Sequence, residues 1–445
     1  MNQSRTLFWR SLASPIKSAI IPTSMRLPKG TIPVSLFLAL PLALWLVAEP
    51  PVASIPYLGR ILGVFGFSAF TLAILLAIRI PLQEKIFGDL GQSYRFHQTI
   101  GTLALMALVL HPLFLAWQFI EFSLKDTAIF LLPVGDLAKN LGVFSLIIMT
   151  VCIICTYYVR LPYHIWKKVH QYLALAFILG AIHGVMIGGD IQTMPLLKLL
   201  FVIFLALGVC AIVYRVLFNR LFVHRTPYVV KSVNVINEKF VDVTLTPKDR
   251  GFDIKPGQFA YITYMSNGVK AEEHPFSIAA SGPNGSIRFV TKKLGDFTNT
   301  LHNLVVGDEA MVEGPYGSFT YTSGGKTQCW IAGGIGITPF LAFAESLPDD
   351  YNATLYYAIS DDTENAVERD LATLAKRKPN LKIAVWNSKE KGFLTAASAL
   401  TGLDPAKTDV FLCGPGGMVK AMRDQLFALN VPHHHIHQEK FSMLP

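Results

Sequence analysis

Charged residues are scarce in this chain of 445 residues: 16% are Asp, Glu, Lys or Arg, whereas 52% are hydrophobic. The mean hydropathy of +0.42 is too high for a soluble protein of this size. Cysteine is also rare, with five residues, and Cys152, Cys155 and Cys210 lie inside apolar stretches. The sequence therefore indicates no disulfide framework, and it favours a membrane protein over a secreted module.

Two further features are missing. No small-residue cleavage site of a secretory signal is evident, and no acidic loops have calcium-binding spacing. The first 30 residues contain basic residues and no acidic ones, so we expect residues 1–30 to form a cytoplasmic tail, with an interfacial segment as the alternative. The net charge of +9 is compatible with nucleic-acid binding, but its distribution fits the positive-inside bias of membrane proteins better. We therefore expect the lipid bilayer, and no nucleic acid, as a partner.

Apolar runs long enough to span a bilayer predict six helices. They lie at roughly 31–49, 57–80, 96–120, 137–159, 168–188 and 196–220. The loops at 80–95 and 160–168 contain Lys and Arg, whereas those at 50–56 and 188–195 contain neither. By the positive-inside rule, both termini and everything after the sixth helix are predicted to be cytoplasmic.

Four histidines lie in two of these helices, which run parallel if this orientation is right. His97 and His111 belong to the third helix, and His170 and His183 belong to the fifth. Histidine within a membrane span is costly and marks a functional site. Imidazole is an axial ligand of haem iron, so His97 with His170 and His111 with His183 predict two stacked haems.

The spacing in the fifth helix fits this hypothesis less well. A 14-residue step, as between His97 and His111, rises about 21 Å and returns nearly to the same helix face. A 13-residue step, as between His170 and His183, misses that face by over 100°. The hypothesis therefore requires a helix tilt or a bulge near Gly180. The alternative is that the histidines are isolated polar groups bonded to neighbouring helices.

Two arginines of the second helix lie at matching depths. Arg60 is at the level of the outer pair and Arg79 at that of the inner pair, so both are candidates to pair with haem propionates. The alternatives are that Arg79 extends to the cytoplasmic interface and that Arg60 has a structural role. Phe177 lies midway between His170 and His183, either between the haems or in ordinary packing.

The second half of the chain predicts two soluble domains. Short alternating strands separated by Gly- and Pro-rich turns predict an antiparallel barrel over 223–322. The expected strands are Tyr228–Val235, Val241–Thr246, Phe259–Tyr264, Phe276–Ala280, Ile287–Thr291 and Ala310–Glu313. A pattern of strand, glycine loop, helix, strand and helix then predicts a doubly wound α/β domain over 323–445.

Two sets of motifs in these domains indicate nucleotide cofactors. The barrel contains the motif His274-Pro275-Phe276-Ser277. A second segment follows, and its lysine charge, backbone amides and threonine hydroxyl can hold a pyrophosphate. Its candidate residues are Thr291, Lys292, Lys293, Gly295 and Thr298. The α/β domain has a glycine loop after its first strand and a second motif at the carboxyl end of a later strand, where dinucleotides bind: Gly333, Gly334, Gly336, Thr338 and Pro339, with Cys413, Gly414 and Pro415.

With these motifs, residues 223–445 resemble the ferredoxin–NADP reductase superfamily, and 31–445 resemble the ferric reductase and NADPH oxidase family, most closely its minimal prokaryotic type. The resemblance implies a six-helix haem domain over 31–222, an FAD barrel and an NAD(P)H domain. It also implies that the four histidines ligate two b-type haems, that Ser277 lies near the reactive part of FAD, and that Phe441 covers the flavin. The glycine loop and Cys413–Pro415 would contact NAD(P)H.

The expected function is electron transfer from cytosolic NAD(P)H through FAD and two haems to an external acceptor, in a multi-pass protein of a bacterial inner membrane. Because the outer loops, at 50–56, 121–136 and 188–195, are short, a small acceptor is expected, and we favour oxygen, giving superoxide, over a ferric chelate. Alternatives are a haem subunit serving a protein partner and a reductase tethered by structural helices. The sequence gives no sign of an obligatory protein partner.

The choice between NADH and NADPH depends on the end of the second α/β strand. Asp361 and Asp362 follow this strand, and acidic residues there repel a 2′-phosphate and favour NADH. The family more often has a basic residue at this position. Arg369 or Arg377 is the candidate for binding such a phosphate.

Overall fold

The computed structural model describes residues 28–49, 51–88, 90–120, 122–159, 161–187, 190–218 and 225–439. Within them, six helices are long and apolar enough to cross a membrane: Thr31–Ala48, Ile55–Leu76, Leu90–Ile120, Leu137–Tyr157, Tyr163–Met186 and Pro195–Val216. This confirms the predicted six spans. Most of the predicted tail and Phe441 lie outside the described residues.

The helical half contains ten α-helices and ends in a π-helical turn at Tyr214–Phe218, all within the described ranges. In chain order they are α1 Thr31–Ala48, α2 Ile55–Leu76, α3 Pro81–Phe87, α4 Leu90–Ile120, α5 Leu124–Leu131, α6 Leu137–Tyr157, α7 Tyr163–Gln171, α8 Leu173–Met186, α9 Asp190–Thr193 and α10 Pro195–Val213. The fifth span is thus two helices, α7 and α8, joined at Tyr172.

Helix α2 is central to the bundle because small residues let its neighbour approach. A side chain at Gly66 would lie 2.7 Å from Leu108 of α4, and one at Gly59 would lie 3.0 Å from the backbone nitrogen of Leu115. Association of membrane helices relies on such close packing, since lipid is as apolar as their side chains. The α2–α4 contact therefore depends on glycine, and it fixes α4, which contains His97 and His111.

Phe177 belongs to the core of the bundle. It is fully buried, its ring centroid lies 5.8 Å from that of Phe67 and 5.5 Å from that of Phe70, and a Cβ at Gly208 would lie 2.3 Å from its ring. Of the two sequence-based interpretations, the structure supports ordinary packing.

The barrel is a seven-stranded antiparallel sheet in the order β4-β3-β7-β1-β2-β6-β5. Its strands are β1 Arg225–Val235, β2 Phe240–Pro247, β3 Phe259–Met265, β4 His274–Ser277, β5 Ala280–Ser281, β6 Ile287–Lys292 and β7 Glu309–Tyr316. The predicted strand Phe276–Ala280 is wrong in one respect, since it is two strands. β4 pairs with β3 and β5 pairs with β6, so the chain passes between the two edges here and the sheet curls on itself.

The last domain has a parallel sheet in the order β10-β9-β8-β11-β12. The strands are β8 Thr327–Gly333, β9 Asn352–Ile359, β10 Leu381–Asn387, β11 Asp409–Cys413 and β12 Ile436–Glu439. The helices are α11 Thr338–Ser346, α12 Glu368–Arg377, α13 Ser388–Lys391, α14 Ala396–Ala399 and α15 Gly416–Ala428. The predicted fold class, with a helical membrane part, an antiparallel barrel and a parallel α/β domain, is confirmed.

A forked ion pair joins the barrel to the α/β domain. The Arg288 guanidinium on β6 donates at 2.8 and 2.9 Å to the carboxylate of Asp370 on α12, and its other edge donates to Asp242 on β2. These hydrogen bonds to two carboxylates raise the pKa of Arg288 despite its burial. Bidentate arginine–carboxylate pairs fix orientation as well as distance, so the two domains keep a defined relative position.

A buried ion pair joins the barrel to the membrane helices. Arg79, which follows α2, donates to Glu313 of β7 at 2.8 Å and lies 3.4 Å from Glu273. Its Nε donates to the Tyr94 hydroxyl, and its guanidinium carbon lies 3.8 Å from the ring centroid of Tyr261. Burial alone would raise the pKa of Glu273, but the Arg79 charge, a hydrogen bond with Glu313 and the charges of Lys167 and Arg225 together lower that pKa. The soluble half is thereby held against the inner ends of α2 and α4.

Replacing Arg79→Gln would leave the Glu313 carboxylate, only 2% exposed, without its main counter-charge. Loss of one partner of a buried pair costs about 3–5 kcal/mol. We expect a lower melting temperature of the detergent-solubilised protein. The control is Arg95→Gln, whose guanidinium makes an exposed hydrogen bond to Gln92. Equal melting temperatures for the two variants would show that the pair does not hold the domains together.

Candidate haem and flavin site

Three of the four membrane histidines make the same kind of hydrogen bond. Nδ1 lies 2.7 Å from the Ala73 carbonyl oxygen in His97, 2.8 Å from that of Gly59 in His111, and 2.7 Å from that of Ala138 in His183. A carbonyl oxygen only accepts, so Nδ1 must carry the proton. The lone pair of the neutral ring is then on Nε2, free for a metal, which is the arrangement of metal-ligating histidine.

The histidines also meet across the bundle as the hypothesis requires. The ring centroids of His97 and His170 are 6.1 Å apart, close to the separation of two imidazoles on one metal ion, roughly 6 Å with metal–nitrogen bonds of about 2 Å. The pairing of His111 with His183 stays a prediction. No group of three or more His, Cys, Asp or Glu side chains suited to a metal occurs in the described part of the chain. His97 and His170 would suit an iron whose other ligands come from a macrocycle, and haem binding stays a prediction.

Two glycines leave room for the outer rings. A Cβ at Gly63 of α2 would lie 2.8 Å from the His111 ring, and one at Gly142 of α6 would lie 2.9 Å from the His183 ring. Real Cβ atoms do not approach that closely, so any side chain at either position would displace the imidazole. These glycines shape the outer pair, and the sequence analysis missed both.

Of the two corrections considered for this spacing, a helix tilt or a bulge near Gly180, the bulge is not observed there, because the irregularity lies at Tyr172. Gly180 is in regular helix. Because it has no side chain, the Ser145 hydroxyl can lie 2.8 Å from the position that a Cβ at Gly180 would occupy. At Tyr172, the backbone N–H bonds to the Val169 carbonyl three residues back. Such a turn advances about 120° per residue instead of about 100°. The break therefore brings His170 nearer to the face of His183.

The two arginines have partners that the sequence did not predict. The guanidinium carbon of Arg60 lies 5.8 Å from the Trp45 ring centroid and 5.5 Å from that of Tyr57. Arg79 is neither extended to the interface nor free for a propionate, since its charge is paired with Glu313 and Glu273. A haem role for Arg60 stays a prediction. For Arg79 the ion pair replaces the predicted role.

The predicted flavin motif lies against the membrane helices. His274, Pro275, Phe276 and Ser277 form β4, and the His274 ring stacks on Phe297 at 3.9 Å, with its Nε2 3.2 Å from a Glu272 oxygen. Burial lowers the pKa of His274 against the opposing effect of Glu272, so the ring is neutral near pH 7. Ser277 is half-buried, and its role beside the flavin stays a prediction.

The predicted pyrophosphate segment is only partly available for a ligand. Thr291 is buried and its hydroxyl donates to the Val241 carbonyl, which places it in the barrel wall instead of the site. The Thr298 hydroxyl accepts from the amides of Leu294 and Gly295, so this loop closes on itself.

The two lysines of that segment differ. Lys292 binds Glu364 of the α/β domain at 2.8 Å, whereas the backbone N–H of Lys293 bonds to the Lys239 carbonyl. Lys292 therefore faces the α/β domain, where a nucleotide is expected, as well as the barrel.

The two nucleotide motifs, although distant in sequence, are in direct contact. A Cβ at Gly336 would lie 2.3 Å from the Cys413 carbonyl oxygen, and one at Gly333 would lie 3.0 Å from the Pro415 ring. Gly334 has φ +52°, a left-handed conformation that favours glycine. The predicted meeting of these motifs at the carboxyl edge of the sheet is therefore observed.

The remaining members of these motifs have structural roles. The Thr338 hydroxyl donates to the Ile335 carbonyl, and Pro339 lies in the first turn of α11. A Cβ at Gly414 would lie 3.1 Å from the Gly333 backbone, so these two glycines pack closely. Cys413 is fully buried, and burial with the nearby Glu439 raises the pKa of its thiol. Cys413 therefore supplies backbone to this site and not a reactive thiolate.

Several residues at the site escaped the sequence analysis. Glu273 and Glu313 form the contact to Arg79, and Tyr163 and Trp166 lie between β4 and His170. Trp166 is four residues before His170, a spacing that places both on one helix face, so it could have been found. The carboxylates could not, because their partner follows α2 in the other half of the chain.

Comparison with known proteins agrees with this organisation. Residues 62–181 match the family described as ferric reductase like transmembrane component, 226–320 match an FAD-binding domain, and 330–424 match an oxidoreductase NAD-binding domain. The matches thus place a ferric reductase-like transmembrane part before FAD-binding and NAD-binding oxidoreductase domains in one chain. Together with the six helices that are long and apolar enough to cross a membrane, they indicate a multi-pass membrane protein.

Individual relatives match a little under half of this chain. It is 30% identical to the reductase component of propane 2-monooxygenase from Mycolicibacterium goodii over 236 residues, covering 48% of this chain and 66% of the relative. It is 33% identical to the ferredoxin reductase component of 3-ketosteroid-9-alpha-monooxygenase from Mycobacterium tuberculosis, covering 42% of this chain and 55% of the relative. The chain thus spans little more than half to just under two thirds of the length of these relatives.

A solved structure resembles the chain over a longer range. The structural alignment with the flavohemoglobin of Malassezia yamatoensis, solved with bound FAD and heme, covers 92% of this chain and 98% of the flavohemoglobin chain. Its TM-score is 0.50 and the sequence identity is 17%. At this identity the likeness concerns the fold alone.

We expect Gly142→Val to reduce the haem content of the purified protein by about half, because the new side chain would displace the His183 ring and so remove one of two ligands of the outer iron. The measurement is the ratio of extracted haem to polypeptide. Gly101→Val is the matched control, since no atom lies within 4 Å of a Cβ built there. Wild-type haem content in Gly142→Val would contradict the assignment of His183.

Proposed function

We propose that this chain carries electrons from NAD(P)H through FAD and two b-type haems to dioxygen on the far side of the membrane, giving superoxide. One observation carries the proposal. The His97–His170 pair lies at the end of the bundle that contacts the flavin-binding strand, and His111 and His183 lie further along the same two spans. The order of the sites is then flavin, inner haem, outer haem.

The roles of the residues follow from their positions. The loop Gly333–Gly336 with Cys413–Pro415 would hold the dinucleotide, β4 with Ser277 would hold the flavin, and the four imidazoles would hold the haems. A bound flavin supplies the conversion of a hydride into single electrons, which haem iron requires. The protein positions these groups and excludes water between them; no side chain needs to transfer a proton to the acceptor.

The acceptor is proposed from the connections at the far end. The connection between the third and fourth spans contains α5, of eight residues, and that between the fifth and sixth contains α9, of four. Neither builds a domain that could recognise a large iron carrier, which favours a small diffusible acceptor. Ferric chelate is the second candidate, supported by the match to the ferric reductase like transmembrane component.

Purified protein with FAD and NAD(P)H is expected to reduce cytochrome c in air, and superoxide dismutase is expected to suppress that reduction. A parallel anaerobic assay measures reduction of a ferric chelate. His111→Leu is the matched variant, because it should leave NAD(P)H oxidation by flavin intact and remove electron delivery to the far side. If the protein reduces ferric chelate but shows no dismutase-sensitive reduction of cytochrome c, ferric iron and not oxygen is the acceptor.

NADH is the expected donor. Asp361 follows β9 and caps the next turn through Thr363, while Asp362 accepts from Asn387, so both acidic residues lie just after the end of β9. Arg377 is paired with Glu345, which engages one of the two arginines considered for a 2′-phosphate. We therefore propose that the acidic pair rejects NADPH.

The ratio of kcat/KM for NADH to that for NADPH tests this. The wild type should favour NADH, and Asp361→Asn should lower the ratio by about tenfold, equivalent to roughly 1.4 kcal/mol, by removing repulsion of the 2′-phosphate. Asp349→Asn, an exposed position of the same domain, should leave the ratio unchanged. A wild-type preference for NADPH would show that another group binds the phosphate.

A further inference from the structure

Aromatic rings connect the flavin-binding strand to the inner histidine pair without a gap. Successive ring centroids are separated by 3.9, 5.2, 5.7, 5.2 and 6.1 Å. The rings, called here the aromatic line, are in order Phe297, His274, Tyr163, Trp166, His170 and His97. The line crosses from the barrel into the membrane helices between His274 and Tyr163.

Helix α7 places the central members of this line on one face. Tyr163, Trp166 and His170 are three and four residues apart, the spacing at which helical side chains are neighbours. The start of α7 is also in contact with the barrel, since His164 Nδ1 lies 3.7 Å from a Glu272 oxygen, and the same carboxylate is 3.2 Å from His274. Helix α7 is thus positioned by the flavin-binding segment as well as by the bundle.

His170 differs from the other three histidines. Its Nδ1 is buried without a hydrogen-bond partner among the described residues, and so is Nε1 of Trp166. In place of a carbonyl, His170 has the Trp166 ring, stacked at 5.2 Å with 25° between the planes. The orientation of this one ligand therefore depends on a stacking contact. The indole N–H needs an acceptor, and a haem propionate has the required chemistry.

We propose that Trp166 is the positioning residue of the inner haem ligand His170, and that Tyr163 and Trp166 together form the contact route between flavin and inner haem. This rests on the proposed function. A bound haem would supply one ferric iron as the acceptor for each electron that a bound, reduced flavin gives up. Tyr163 and Trp166 undergo no net oxidation and exchange no proton, because their role is to shorten the gaps that the electron crosses.

The test follows anaerobic reduction of the FAD- and haem-loaded protein by NADH, with flavin and haem absorbance recorded separately. Trp166→Leu should leave the rate of flavin reduction unchanged and slow haem reduction by about tenfold or more, as expected for lost positioning. Trp166→Phe keeps a ring in place and should restore most of that rate. Trp117→Leu, a partly exposed position on α4, is the control.

Electron paramagnetic resonance of the oxidised haems distinguishes the two proposed roles, which are orientation of His170 and electron transfer between flavin and haem. Trp166→Leu should shift the signal of one haem, since the plane of His170 is no longer fixed. Tyr163→Leu should slow haem reduction with both signals unchanged, because Tyr163 stacks on Trp166 and contacts the His274 ring without touching His170 in the line. If the Trp166→Leu protein binds no inner haem, the test passes to Trp166→Phe. Failure of Trp166→Phe to restore both the haem content and the rate of haem reduction would overturn the proposal.

The outcomes distinguish this inference from the proposed function. Haems that bind and are reduced by NADH in the wild type, together with wild-type rates and spectra in both Trp166→Leu and Tyr163→Leu, would overturn the inference alone. Wild-type protein that binds no haem, or whose haems NADH does not reduce, would overturn the proposed function.

Discussion

The arrangement depends on one constraint, the placement of imidazole rings inside an apolar helix bundle. A buried ring N–H must find an acceptor or lose free energy, and backbone carbonyls of α2 and α6 supply acceptors to His97, His111 and His183. The bond to Ala73 is available because the end of α2 tightens and Ala77 bonds to Ile74 instead. Each bond also leaves Nε2 for a metal. The same contacts thus stabilise the bundle and prepare the site.

The buried ion pair at Arg79 gives this bundle a direction. It joins the inner end of α2 to β7, so the flavin-binding strand is brought to the His97–His170 end and not to the His111–His183 end. Arg288 then holds the nucleotide domain on the other side of the barrel. Two groups of arginine–carboxylate contacts therefore hold the α/β domain, the barrel and the helix bundle in the order that the proposed nucleotide, flavin and haem sites require.

The sequence predicted the parts whose pattern is local. Apolar runs gave six spans, alternation gave the barrel strands, and the glycine loop and Cys413-Gly414-Pro415 were correctly expected at one sheet edge. It could not show the passage of the chain between sheet edges after Ser277, because two short strands with different partners look like one. Nor could it show that Arg79 pairs with Glu313, since only the fold brings residues that distant together. The break at Tyr172 has no glycine or proline to mark it.

The central claim is that four histidines hold two haems in a chain that also binds one FAD. The most direct measurement is the ratio of haem to flavin in the purified protein, combined with low-temperature magnetic resonance of the oxidised haems. The account predicts two haems per FAD, both low-spin with two imidazole ligands. One haem per FAD, or a haem with a single imidazole, would contradict the pairing of His97 with His170 and of His111 with His183.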